Sequence, residues 1–186
     1  LVAPGGPSKA TPSAPQSTSE KNTASTAYTP LPVMEDEEHL WDVLYSDGAC
    51  SNNGKGGAAV AGIGVWSADD QGRRLSERCG GEQTNNRAEL IAIIRALEST
   101  PLGGKQLLVK TDSEYAINCV YRWIRKWRVN GWKTAAGQPV KNQQLIRYLS
   151  ALLQLRDMRG QVRLQHVRGH SGDRGNVAAD ALARGG

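Results

Sequence analysis

The stretch at residues 40–50 limits what this chain can fold into more than any other part of it. Its sequence, LWDVLYSDGAC, is a nearly continuous apolar run that stops at Asp47, which Gly48 follows. Runs of this kind are typical of a strand buried on both faces in the middle of a sheet. We therefore predict a central strand with Asp47 at its carboxyl end, next to a turn at Gly48 where the backbone can come close to a ligand. Taken alone, Asp-Gly is an ordinary turn signal.

Composition excludes several classes of protein. The 186 residues contain no apolar run close to the length that spans a bilayer, and their start lacks the basic and apolar regions of a signal peptide. The three cysteines, Cys50, Cys79 and Cys119, are odd in number and far apart. This spacing argues against a disulfide framework and a thiolate zinc site, and it favours a reducing compartment. We expect a soluble, intracellular protein with no membrane partner.

Charge is distributed unevenly along the chain. Residues 1–46 contain two lysines and six acidic residues, so the net charge of +5 comes from a strongly basic remainder, 47–186. A basic domain is a suitable partner for a polyanion such as nucleic acid. A basic surface without a specific partner explains the charge equally well.

The first 38 residues differ in composition from the rest. Residues 1–38 are rich in Pro, Ser, Thr, Ala and Gly, lack hydrophobic periodicity and end in an acidic cluster. Such a segment buries too little apolar surface to offset the entropy of ordering it, so we predict a disordered linker followed by one domain, 39–186. Because linkers join two units, we expect a further domain upstream of Leu1.

The folded part has the pattern of an α/β domain. An antiparallel meander of three strands is predicted at 40–50, 58–67 and 73–79, and Gly62 and Gly64 in the second strand allow a neighbour to approach closely. A helix follows Thr84, and the strand after it, 105–111, should return parallel to the first strand, which places Asp112 beside Asp47. The remaining predicted elements are helices at 113–120, 142–155 and 174–184 and a strand at 161–167.

Four acidic residues are the candidate chemical groups: Asp47, Glu89, Asp112 and Asp180. Taken singly, Glu89 can be a capping-box residue with Asn86, and Asp180 can complement a helix dipole. Together at one sheet edge they would repel one another unless a cation neutralised them. Mg²⁺ prefers oxygen ligands, and two such ions about 4 Å apart can activate water and stabilise the leaving oxygen of a phosphodiester. The carboxylates therefore suggest metal-dependent phosphodiester hydrolysis.

One histidine lies near this set in the sequence. His170 is in the glycine-flanked segment VRGHSGDRGN, ten residues before Asp180, and Asn176 shares a helix face with Asp180. A histidine beside a metal site can shuttle protons or assist product release. A solvent-exposed loop histidine is the alternative.

With these residues identified, the chain from about residue 40 to 184 resembles the cellular type 1 ribonuclease H family. The resemblance implies a ribonuclease H-like fold with a five-stranded mixed sheet, flanking helices and a basic helical protrusion. It also implies Mg²⁺-dependent cleavage of the RNA strand of RNA–DNA hybrids by two metal ions, for which Mn²⁺ can substitute, with 5′-phosphate and 3′-hydroxyl products. The motifs that carry it are YSDGACSNN, TNNRAELIAIIRAL, VKTDSEYAIN, NGWKTAAGQPVKN and VRGHSGDRGNVAADALA.

The resemblance assigns roles to residues. The four carboxylates match the family's metal ligands, His170 matches its active-site histidine, and Asn176 matches a supporting position. Positions that face the RNA strand fall on Cys50, Asn52, Asn53, Asn85 and Asn86. Positions near the DNA strand fall on Thr84, Trp123, Trp127 and Asn142, whereas Trp132 is expected to be structural.

One position departs from the family pattern, and some questions stay open. Glu82 stands where the family's DNA-phosphate pocket has an arginine, which predicts weaker anchoring of the DNA strand. A non-catalytic hybrid-binding module and the ribonuclease H domain of a reverse transcriptase are the alternative functions. We expect a monomer, and the sequence does not distinguish the nucleus from the mitochondrion.

Overall fold

A five-stranded mixed sheet forms the centre of the molecule. The computed structural model describes residues 30–53, 58–67, 69, 72–169 and 171–186. The strand order is β3-β2-β1-β4-β5, with β1–β2–β3 antiparallel and β4 and β5 parallel to β1. The strands are β1 (Trp41–Ser51), β2 (Val60–Ser67), β3 (Arg74–Arg78), β4 (Gln106–Thr111) and β5 (Val162–His166). The predicted α/β fold, the meander and the parallel return of β4 beside the central strand are confirmed.

Helices cover both faces of this sheet. The helices are α1 (Asn85–Glu98), α2 (Glu114–Asn118), α3 (Ile124–Val129), α4 (Gln143–Asp157) and α5 (Arg174–Gly185). The main core lies between the sheet and the apolar faces of α1 and α4, where Leu44, Leu90 and Leu149 are fully buried. Helix α5 packs against the other face. None of the helices in the described ranges is long and apolar enough to cross a membrane.

The strand predicted at 40–50 is confirmed, but the predicted turn at Gly48 is wrong. Strand β1 continues to Ser51, and Gly48 is paired with Ile63 of β2. The glycine is required for a different reason: a Cβ atom added at Gly48 would lie 2.3 Å from the backbone nitrogen of Glu89. The backbone of α1 therefore lies directly on β1, and this contact brings Glu89 next to Asp47.

Helix α5 approaches the sheet in the same way from the opposite face. A Cβ atom at Gly64 would lie 2.1 Å from the carbonyl oxygen of Ala179, and one at Gly62 would lie 2.2 Å from that of Ala183. Strand alternation separates these glycines from Ile63, which packs against α1. The predicted role of Gly62 and Gly64 in close approach is thus confirmed, and the approaching neighbour is α5.

Residues 30–38, which precede the predicted boundary at residue 39, contact the sheet. The acidic cluster that we assigned to the end of the linker forms a 3₁₀ helix, Glu35–Leu40. Val33 is buried, and its N–H donates a hydrogen bond of 2.8 Å to Gln165 Oε1 on β5. Glu38 forms an ion pair with Lys110 of β4. These contacts with β4 and β5 account for the order of 30–38, whereas the rest of the predicted linker, 1–29, lies outside the described residues.

The helical region after β4 is divided into three parts. The predicted short helix is α2, a π-helical turn follows at Cys119–Trp123, and α3 lies within 121–133, the segment that matches the predicted basic protrusion. The ring centroids of Trp123 and Trp127 are 5.6 Å apart, and those of Trp127 and Trp132 are 6.2 Å apart. Trp123 is exposed and Trp132 is buried.

We predict that Gly48→Ala lowers the stability of the fold. The added methyl group has no space against the backbone of α1, so α1 must move away from β1, which costs about 1–3 kcal/mol or more. Urea unfolding followed by circular dichroism measures this loss. Gly104→Ala is the matched control because a Cβ atom there has no heavy atom within 4 Å. Equal unfolding midpoints for Gly48→Ala and the wild type would contradict the close contact.

Candidate active site

Three carboxylates from different elements meet at the carboxyl end of the parallel strand pair. Asp47 comes from β1, Glu89 from the first turns of α1, and Asp112 directly follows β4. One oxygen atom from each of the three lies within 4.8 Å of the others. Asp47 and Glu89 are buried, and Asp112 is half-buried. The sequence-based prediction that Asp47 and Asp112 lie side by side is confirmed.

The fourth carboxylate, Asp180, lies on α5 and lines one cavity together with Asp47, Glu89 and Asp112. Unlike the other three, it forms an ion pair inside its own helix: Arg184 Nε lies 2.8 Å from Asp180 Oδ1 and 3.0 Å from Oδ2. Arg184 was not identified from the sequence. Its spacing of four residues from Asp180 on a helix would have indicated this ion pair.

Asn176 connects α5 to the carboxylates. The side chain of Asn176 is buried, and its Nδ2 donates a hydrogen bond of 3.1 Å to Asp112 Oδ2. The first turn of α5 is held by Asp173, whose Oδ1 accepts hydrogen bonds from the N–H groups of Gly175 and Asn176. The orientation of Asp112 therefore depends on where α5 begins.

The electrostatics of the cluster follow from burial and like charge. Burial raises the pKa of Asp47 to about 7, with further contributions from the charges of Asp112 and Asp180, and the Gly48 N–H opposes this rise. The pKa of Glu89 is also raised well above its ordinary value, first by burial and then by the charges of Asp47 and Asp112. The fully ionised cluster is therefore unfavourable without a cation.

The donor atoms fit a divalent metal ion. All the ligands are carboxylate oxygens, which hard cations prefer, and their separation allows one ion to contact several of them. Glu89 Oε2 is buried without a hydrogen-bond partner among the described residues, as is Asn176 Oδ1. A cation would neutralise the repulsion and give Glu89 Oε2 a partner.

Two of the residues predicted to face RNA, Cys50 and Asn85, line this cavity. Asn85 Nδ2 donates to Glu89 Oε1 at 3.3 Å, and Asn53 Oδ1 accepts from the Asn85 N–H at 3.5 Å. The remaining two are exposed: Asn52, which has a φ of +55°, and Asn86.

The residues predicted to face DNA lie directly before two helices, α1 and α4, and in the helical segment that contains Trp123 and Trp127. Thr84 precedes α1 with an extended backbone, and Asn142 precedes α4 in the left-handed conformation, with φ +55°. The side chain of Tyr115 interacts with Asn142 and packs edge-on against Trp123, with ring centroids 6.2 Å apart. Tyr115 was not predicted from the sequence, and it connects Asn142 with the tryptophans of the protrusion.

Two positions complete the set predicted from the sequence. Glu82, at the departure from the family pattern, is exposed. His170 lies outside the described residues.

Comparison with known proteins decides the family. The RNase H family model matches residues 41–186, which is nearly the whole described chain. The chain belongs to the ribonuclease H family.

Ribonuclease H proteins from distant organisms are among its relatives. The chain is 48% identical over 143 residues to ribonuclease H of Schizosaccharomyces pombe, and the aligned region covers 76% of this chain and 51% of that protein. It is 41% identical to human ribonuclease H1, covering 76% and 48%. Ribonuclease H of Parvibaculum lavamentivorans is 45% identical, covering 76% and 88%. The chain thus spans about half the length of the first two relatives.

Solved structures agree on the fold. A foamy viral protease-reverse transcriptase in complex with dsDNA superposes with a TM-score of 0.64 and 25% identity, covering 83% of this chain and 96% of that chain. The same type of protein in complex with an RNA/DNA hybrid gives a TM-score of 0.68 and 24% identity, covering 89% and 22%. The ribonuclease H-like fold predicted from the sequence is confirmed.

We predict that the metal-free protein loses stability as pH rises from about 4 to 8. The folded state keeps a proton on Asp47 up to a pKa of about 7, whereas the unfolded carboxyl group loses it near 3.8. Because the folded state binds more protons, this contribution is complete below the unfolded pKa and is lost as pH rises through the folded pKa. Asp47→Asn should therefore be more stable than the wild type at pH 8, by roughly 2–4 kcal/mol.

Urea unfolding in a metal chelator at several pH values tests this expectation. The contrast variant is Asp69→Asn, because the hydrogen bond from Arg73 lowers the pKa of Asp69. Asp69 contributes stability above its unfolded pKa, so Asp69→Asn should be less stable than the wild type at pH 8. The prediction is supported if the free energy of unfolding falls more steeply with pH for the wild type than for Asp47→Asn. Equal pH dependence in the two proteins contradicts it.

Proposed function

We propose that the chain is the catalytic domain of an endonuclease that hydrolyses the RNA strand of RNA–DNA hybrids and leaves 5′-phosphate and 3′-hydroxyl ends. The observation that carries the proposal is the convergence of Asp47, Glu89 and Asp112 within 4.8 Å in a chain of the ribonuclease H family. Carboxylates facing a phosphate backbone weaken simple binding, so their presence favours catalysis over a non-catalytic binding module.

Mg²⁺ is the proposed metal, with two ions in the site and Mn²⁺ as a substitute. The residues that would hold them are Asp47, Glu89, Asp112 and Asp180. When bound, the two ions supply activation of the attacking water and stabilisation of the leaving oxygen of the phosphodiester. The close contacts of α1 and α5 with the sheet support this assignment, because they fix the carboxylates before substrate arrives.

Side chains around the carboxylates have positioning roles in the proposed reaction. Asn176 orients Asp112 through its hydrogen bond. Arg184 neutralises Asp180 in the absence of metal and must release it when Asp180 becomes a ligand. For His170 we propose a role in moving protons or in product release, which rests on its match to the family pattern alone.

The proposed substrate contacts divide between the two strands of the hybrid. Cys50, Asn52, Asn53, Asn85 and Asn86 would contact the RNA strand near its 2′-hydroxyl groups, which distinguish RNA from DNA. The amide side chains at the cavity rim support this assignment. Thr84, Asn142, Trp123 and Trp127 would contact the DNA strand, and Glu82 would weaken its phosphate anchoring.

A reverse-transcriptase domain is the second candidate. The foamy viral proteins share the fold at 24–25% sequence identity. The ribonucleases H of Schizosaccharomyces pombe and human are 48% and 41% identical to this chain over 143 residues. This difference supports a cellular enzyme. We further propose a monomer, located in the nucleus or the mitochondrion, with an additional domain upstream.

We predict that Asp112→Asn abolishes most of the activity. The loss of one carboxylate removes a metal ligand and several kcal/mol of transition-state stabilisation, so kcat should decrease at least about a hundredfold. The measurement is a time course with a labelled RNA–DNA hybrid in Mg²⁺ and in a chelator, with duplex DNA and duplex RNA as substrates that should stay intact.

Asp157→Asn is the control for this experiment. Asp157 is an exposed acid at the end of α4, where it forms a 3.8 Å ion pair with Arg163, and its variant should retain wild-type activity. Wild-type rates for Asp112→Asn would refute the proposed site. Binding without cleavage by the wild type would favour the non-catalytic module.

Trp123 and Trp132 should respond differently to substitution by alanine. Trp123 is 40% exposed and Trp132 only 7%. Stacking on an exposed tryptophan contributes about 1–3 kcal/mol, so Trp123→Ala should weaken hybrid binding about fivefold to a hundredfold with little change in stability. Trp132→Ala should mainly lower the unfolding midpoint. Fluorescence anisotropy in the Asp112→Asn background measures binding, and equal affinity for Trp123→Ala would contradict the DNA-strand assignment.

A further inference from the structure

Lys110 is a buried cation close to the candidate active site. It lies on β4, two residues before Asp112, and is only 6% exposed. Its Nζ is 2.5 Å from Glu38 Oε1 and donates a hydrogen bond of 3.3 Å to the hydroxyl group of Tyr45. The same atom lies 5.2 Å from the centroid of the Tyr45 ring. Neither Lys110 nor Glu38 has a role in the proposed chemistry.

Glu38 is the counter-ion of Lys110. The Glu38 carboxylate and the Tyr45 hydroxyl group both contact the buried ammonium group, and such a group is rarely left unpaired. Glu38 belongs to the 3₁₀ helix that precedes β1, so the neutralisation comes from outside the segment predicted to be the domain.

Tyr45 connects Lys110 to helix α5. A Cβ atom at Gly175 would lie 2.2 Å from the Tyr45 ring, so the first turn of α5 rests directly on this ring. The hydroxyl group of Tyr45 also donates to Asp173 Oδ2 at 3.5 Å. Asp173 is the residue whose other oxygen accepts from the N–H groups of Gly175 and Asn176.

The same turn of α5 carries a residue that contacts the carboxylate cluster. Asn176 is the residue that donates to Asp112 Oδ2, and Asp180 follows one turn later. A continuous series of contacts thus runs from Glu38 through Lys110 and Tyr45 to the beginning of α5, and from there to Asp112. Each link involves a different side chain, so each can be altered separately.

We propose that Glu38 is a positioning residue that, through Lys110 and Tyr45, fixes the first turn of α5 and thereby the orientation of Asn176 toward Asp112. As far as it concerns catalysis, this inference rests on the proposed function. It implies that the functional domain includes the acidic 3₁₀ helix.

Four variants separate positioning from mere stabilisation. Glu38→Gln leaves Lys110 buried without a counter-ion, and Tyr45→Phe keeps the ring under α5 but removes the hydroxyl group. Lys110→Met removes the charge and the donor to Tyr45. The double variant Glu38→Gln/Lys110→Met has neither the unpaired charge nor the donor.

Three quantities should be measured for each variant: the urea midpoint, the kcat and KM of hybrid cleavage, and amide hydrogen exchange at 174–180. We expect Glu38→Gln, Tyr45→Phe and Lys110→Met each to lower kcat roughly tenfold, as outer-sphere changes around metal sites do, with KM nearly unchanged. Exchange at 174–180 should become faster in all three. The double variant should regain the unfolding midpoint lost in Glu38→Gln but not the kcat or the slow exchange, because methionine cannot donate to Tyr45.

Asp42→Asn is the matched control. Asp42 forms an ion pair of the same length with Arg73, 2.5 Å, and its side chain is 18% exposed compared with 20% for Glu38. This pair does not contact α5 among the described residues, so its loss should leave kcat and the exchange of α5 unchanged at whatever cost to stability.

Two outcomes would overturn the inference. Recovery of kcat together with stability in the double variant would make the ion pair purely structural. Wild-type exchange and kcat in Tyr45→Phe would break the series of contacts at its central link. If the wild type does not cleave hybrids, the proposed function fails, while the exchange measurements still decide whether Glu38 acts on α5.

Discussion

The structure depends on holding like charges together in a buried place. Asp47, Glu89 and Asp112 repel one another, and burial increases the free energy of ionising Asp47 and Glu89. They cannot separate, because β4, which precedes Asp112, is paired with β1, and α1 lies directly on β1. Gly48 brings α1 onto β1, and Gly64 brings α5 onto β2. The favourable packing of the core on both sides of the sheet offsets the unfavourable electrostatics of the site. A bound cation would reduce the repulsion between the carboxylates further.

The sequence predicts those features that depend on local pattern. Apolar alternation and helical spacing identify the strands and helices, and a strand–helix–strand connection of this length leaves a parallel return as the simplest path. The neighbouring positions of Asp47 and Asp112 follow from that topology. The role of Gly48 could not be predicted in the same way. Asp-Gly favours a turn locally, and only the pairing with Ile63 and the approach of α1 keep this glycine extended.

The features that were missed depend on contacts between distant residues. The acidic run before β1 has the composition of a linker, and nothing nearby in the sequence indicates that Glu38 neutralises a lysine 72 positions later. A lysine on an apolar strand does indicate a missing counter-ion, because a buried ammonium group is rarely left unpaired. It does not indicate which acid supplies it. Composition alone therefore does not show that part of an acidic segment pairs with a buried residue of the sheet.

The four carboxylates are not equivalent, and the difference has a consequence for metal binding. Oxygen atoms of Asp47, Glu89 and Asp112 lie within 4.8 Å of one another, whereas Asp180 is partly exposed and forms an ion pair with Arg184. Arg184 is fixed to Asp180 only by a surface ion pair within one helix, and such pairs are weak because water screens them and both side chains lose freedom. A divalent ion at the proposed site would also interact with Asp47, to which Arg184 contributes only a longer-range charge. The exchange of Arg184 for such an ion would therefore cost little, so Arg184 can limit the repulsion of the carboxylates without blocking the proposed metal site.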